Sequence, residues 1–89
     1  MYSIWKYRIP IEDRFTMELP KDSMVLDVKI QDEQPTMWIL VETEANLEKR
    51  YFRIFGTGHK FETIANLKHL GTIQMWNATL VWHIFEEIK

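Results

Sequence analysis

A chain of 89 residues has the length of one domain, 1–89, with no room for a second hydrophobic core. Its 46% hydrophobic and 27% charged content excludes a disordered tail, and a formal charge of −2 argues against an extended nucleic-acid surface. The absence of cysteine rules out disulfide frameworks, thiolate metal sites and cysteine nucleophiles, and the longest apolar run, Met37 to Val41, falls far short of the ~20 residues of a membrane-spanning helix.

The dominant period along the chain is two, the signature of strands whose alternate side chains meet one face. Trp5, Tyr7 and Ile9 alternate with Ile4, Lys6 and Arg8 until Pro10, which has no N–H for a ladder. After Glu12-Asp13 a second strand follows, with Phe15, Met17 and Leu19 on one side, and the two are expected to pair as antiparallel neighbours. The third strand sets Leu26, Val28 and Ile30 against Val25, Asp27 and Lys29. Gln31 to Pro35 reads as a hairpin loop, and Thr36 to Val41, apolar on both sides, as a central strand covered twice. Glu42 to Lys49 is either a loop or one helical turn. Arg50 to Phe55 alternates again and stops at Gly56-Thr57-Gly58-His59. Phe61, Ile64, Ala65 and Leu67 suit either a short helix near 61–68 or a packed loop. Gly71 to Met75 is extended, Trp76-Asn77-Ala78 turns the chain, and Leu80 to Phe85 forms the last strand. These signals predict a mainly β domain, a small antiparallel sandwich or barrel of about seven strands.

Charge is polarised along the chain. Lys49 to His69 holds five basic residues against one acidic, a balance of +4, whereas the rest holds six basic and twelve acidic, a balance of −6. At the centre of the basic stretch the glycines of Gly56-Thr57-Gly58-His59 free the backbone to form an anion-binding nest, and Thr57 adds a hydroxyl. Arg53 brings a planar fork matched to phosphate, with Lys60 close by in sequence. The candidate ligand site is therefore Arg53, Gly56, Thr57, Gly58, His59 and Lys60; the competing reading is a bulge or turn at a strand end with basic side chains solvating an edge.

Other chemistry finds little support. His59, His69 and His83 have no standard ligand spacing, so no metal is called for, and no cofactor motif is present. The carboxylate pairs Glu12-Asp13, Asp32-Glu33 and Glu86-Glu87 are adjacent residues, which a strand points to opposite faces, so they do not serve as acid and base. Neither Ser3 nor Ser23 has a nucleophile elbow. An enzyme is not expected. Trp5, Trp38 and Trp82 lie on strands as core residues; Trp76, at a turn, either anchors a partner or folds back over the core.

Ile4-Trp5-Lys6-Tyr7, Arg53-Ile54-Phe55-Gly56-Thr57-Gly58-His59 and Leu80-Val81-Trp82-His83-Ile84-Phe85 together resemble a family of small phage and prophage proteins of unknown function. The polar stretch Glu42 to Lys49 departs from that family, where a more proline-bearing loop is expected. The resemblance implies an accessory protein acting in the cytoplasm of the bacterial host and supplies no catalytic residue. Counter-defence follows as the expected role, through capture of a nucleotide-like anion at the glycine loop. A pocket in so small a domain is expected between subunits of a homo-oligomer. The alternatives are an inhibitor that binds a host protein through exposed aromatic and edge-strand surface, and a minor virion component.

Overall fold

The computed structural model describes residues 1–77 and 79–88. Its strands are β1 (Tyr2–Arg8), β2 (Arg14–Pro20), β3 (Met24–Gln31), β4 (Gln34–Glu42), β5 (Leu47–Gly56), β6 (Leu67–Met75) and β7 (Leu80–Glu87). They form a three-stranded sheet in the order β1-β4-β3 and a four-stranded sheet in the order β2-β5-β7-β6, every pairing antiparallel. The two pack as a sandwich.

Alternation builds the core between them. Met37, Ile39 and Val41 from β4 join Phe15 and Leu19 from β2, Phe52 and Ile54 from β5, and Ile84 from β7 in one buried cluster. Phe15 stacks on Phe52 at 5.0 Å between ring centroids. Each such side chain contributes roughly 1.5–3 kcal/mol by leaving water, which is how so short a chain sustains two layers.

Several sequence expectations change at the level of pairing. β1 does not pair with β2: it pairs with β4, and β2 pairs with β5 in the opposite sheet. The link between β1 and β2 crosses the sandwich because Ile9, held to β4 by its N–H on the Pro35 carbonyl, is drawn into the core. β4 is central, yet it has one layer over it; Trp38 and Leu40, on its outer side, are half-buried beside Lys6 and Asp27 and beside Ile4 and Met24. No helix forms at 61–68, or elsewhere among the described residues. Trp5 keeps the register expected of a core residue, opposite Ile39, but is 38% exposed because β1 is a sheet edge.

Two register shifts shape the seam where β3 meets β6. At Leu26 a bulge interrupts the β3–β4 ladder, so Val25, Val28 and Ile30 face the core and Leu26 turns to solvent. A matching shift occurs at Leu70 in β6. A Cβ on Gly71 would sit 3.1 Å from Val28 Cβ, so glycine here is what lets the two sheets approach. The β3–β4 hairpin turns through Asp32 and Glu33, both with positive φ (52° and 63°), the geometry of a tight two-residue turn. At the β6–β7 turn Trp76 and Asn77 also have positive φ, while Ala78, the third residue of the predicted turn, lies outside the described residues.

Candidate functional site

The glycine loop leaves the end of β5 and folds back on itself. The His59 N–H donates to the Gly56 carbonyl at 3.1 Å, and the Gly56 N–H donates to His59 Nδ1 at 3.2 Å. Thr57 donates its N–H to the Val81 carbonyl at 3.3 Å. Three amides that an anion nest would turn inward are thus engaged within the protein. Gly58 adopts φ +89°, which favours glycine, and a Cβ on Gly56 would come within 2.8 Å of the His59 ring. The loop works as a clamp that fixes His59.

Those side chains converge from three elements. Arg53, on the outer face of β5, shares with Arg14, His59 and Lys60 a hollow of about 570 Å³ whose lining includes one carboxylate, Asp13. Arg14 and Arg53 are register partners across β2 and β5, so they project from the same face. The Arg53 guanidinium lies 4.7 Å from the Phe55 ring centroid, its Nη1 is 3.9 Å from Glu87, and its Nε has no acceptor among the described residues. Phe55 is covered in turn by Phe61 of the loop, stacked at 4.0 Å. Gly56 and Thr57 line a separate hollow of about 350 Å³, where His59 appears again. Of the residues singled out from sequence, Arg53, His59 and Lys60 therefore line one hollow, and the loop backbone holds His59.

Over this whole architecture one family model matches, spanning residues 1–89. The chain belongs to the family DUF7352, described as a domain of unknown function. No curated protein and no solved structure matches it significantly.

In this DUF7352 domain the two arginines of β5 have opposite roles. Arg50, on the inner face, is hydrogen-bonded through Nε and Nη2 to the two oxygens of Glu86 and through Nη1 to the Ser23 carbonyl. The hydrogen bonds to Glu86 push the Arg50 pKa up despite its burial. It is neutralised, so the basic balance of Lys49 to His69 overstates the charge available to a ligand. Arg14, by contrast, lies in the acid-rich part of the sequence and was not legible as a site residue; only strand register reveals it.

The histidines are also distributed in a way spacing does not disclose. His83 on β7 bridges two hydroxyls, Thr57 Oγ1 at 2.8 Å from Nε2 and Thr72 Oγ1 at 3.1 Å from Nδ1, and Thr72 Oγ1 lies 3.1 Å from His69 Nε2. Among the described residues no group of three or more His, Asp or Glu side chains is placed to hold a metal ion. Trp76 stands apart at the β6–β7 turn, 70% exposed.

Proposed function

We propose that this protein is a non-enzymatic binding protein that captures a phosphate-bearing, nucleotide-like small molecule in the hollow formed by Arg14, Arg53, His59 and Lys60. The observation that carries the reading is the register pairing of Arg14 with Arg53. Like charges placed directly opposite destabilise a sheet, and an anion held between them reverses the sign of that interaction. The resemblance to phage and prophage proteins gives the capture a setting: sequestration of a nucleotide signal in the bacterial host cytoplasm, as counter-defence. A hollow open on one sheet face is closed most simply by a second copy, so the functional form is a homo-oligomer.

Isothermal titration with pyrophosphate and with ribonucleoside monophosphates tests the reading. Saturable binding that weakens as salt is raised is expected, because exposed charges are screened over ~10 Å at 0.1 M ionic strength. Absence of binding by all of them at about millimolar ligand, a binding free energy weaker than roughly −4 kcal/mol, rejects it.

The exposure of Trp76 favours a second reading, inhibition of a host protein through that indole. Replacing Trp76 by Ala while leaving the cationic hollow intact separates the two, since only a protein partner captured through the indole is lost.

A further inference from the structure

We propose that the outer face of the four-stranded sheet carries a base subsite, so that the ligand is a nucleoside phosphate lying across β5, β7 and β6 with its phosphate at Arg14 and Arg53; this rests on the anion reading above. The register places Arg14, Arg53, Phe85 and His69 in one row across all four strands. Directly paired residues share a face, so the row runs from two guanidiniums to a phenyl ring and an imidazole on a single surface. Strands are ~4.8 Å apart, which separates Arg53 from His69 by roughly 10 Å along the sheet. That is the scale on which a nucleotide separates its phosphate from the far edge of its base.

The aromatic half of the row offers π-surface that a base can contact. Phe85 is half-buried, with Phe55 at 5.6 Å and His69 at 5.1 Å in T-shaped contacts at 69° and 64°, and His69 is exposed. Bases stack on such side chains regardless of identity because every base has a π-face. In the adjoining row, Phe55, His83 and Thr72, the imidazole and the hydroxyl supply hydrogen bonding. Along Thr57, His83, Thr72 and His69 each hydroxyl either donates or accepts and each neutral imidazole has one donor and one acceptor nitrogen. The chain therefore runs in either direction. Reversing it exchanges donor for acceptor at His69 Nδ1 without moving the ring, which suits a base edge carrying both kinds of group.

The test compares AMP, GMP, CMP and UMP with ribose 5-phosphate by titration calorimetry, on the wild-type protein and on His69→Ala and Phe85→Leu. At least one nucleotide is expected to bind about tenfold more tightly than ribose 5-phosphate, the gain that stacking of one base provides. Both variants should bring that nucleotide close to the ribose 5-phosphate level and leave ribose 5-phosphate itself unchanged; His69 is exposed, so His69→Ala decides the matter should Phe85→Leu perturb the fold. Equal affinity for nucleotides and ribose 5-phosphate overturns the base subsite and leaves the anion site standing. No binding of either overturns both. A tetranucleotide of the preferred base then distinguishes a free nucleotide from a single strand as the source of the same chemistry.

Discussion

Arg50 and Glu86 form a two-pronged ion pair on the inner face of the four-stranded sheet, where Glu86 is only 5% exposed. A carboxylate removed from water this completely is stable only with a cationic partner, because alone it carries an uncompensated desolvation cost. Arg50→Ala or Glu86→Ala should each lower unfolding free energy by about 3–5 kcal/mol, read as a shift in denaturant midpoint at constant slope. An effect below about 1 kcal/mol would place the pair among ordinary surface salt bridges.

The seam between the sheets depends on a missing side chain. At Gly71 a Cβ would press on Val28 Cβ and approach its Cγ2 at 3.4 Å, and Val28 is itself 4% exposed and unable to retreat. Gly71→Ala should therefore cost about 1–3 kcal/mol, the usual penalty of overpacking. A double variant with Val28→Ala should recover part of that loss; additive effects in the thermal midpoints would show that the two positions do not press on each other.

How far the sequence discloses this structure varies by element. Alternation located the seven strands of the described residues, because Phe52 and Ile54 against Tyr51 and Arg53 have one geometric meaning whichever sheet they join. Pairing was hidden: neighbours in sequence fall in different sheets at β1–β2, β2–β3 and β4–β5, and nothing local distinguishes a hairpin from a crossing of the sandwich. The apolar residues of 61–68 mimicked a helix while serving separate ends. Phe61 stacks on Phe55, Ile64 is 80% exposed, and Leu67 opens β6. The candidate site was half legible for the same reason, since Arg53, His59 and Lys60 are close in sequence whereas Arg14 enters through register alone.

Register also marks a place where the chain is less stable than it need be. Glu33 occupies the second central position of the β3–β4 turn at φ 63°, where a Cβ crowds the backbone and glycine does not. Glu33→Gly should raise stability by about 0.5–1 kcal/mol, the relief of left-handed strain less the entropy that glycine loses on folding. Chemical denaturation checks the sign. A loss of stability would mean that Glu33 makes a favourable contact worth more than the strain.

The proposed anion site makes a prediction in which stability and binding move in opposite directions. Arg14 is exposed and faces Arg53 across the β2–β5 ladder, so its charge acts against the fold when no ligand is present. Arg14→Ala should leave the unfolding free energy unchanged or raise it by the roughly 0.2–1 kcal/mol that cross-strand repulsion costs, read from the denaturant midpoint at constant slope. The same change should weaken pyrophosphate binding by about tenfold or more, since a charge-assisted hydrogen bond contributes ~1.5–3 kcal/mol. Arg53→Ala should weaken binding at least as much, but it also removes the guanidinium stacked on Phe55, and a modest loss of stability is expected there. Calorimetry and denaturation on both variants resolve the roles. If Arg14→Ala destabilises the domain while pyrophosphate binding is unaffected, the arginine row belongs to the fold and the ligand site lies elsewhere.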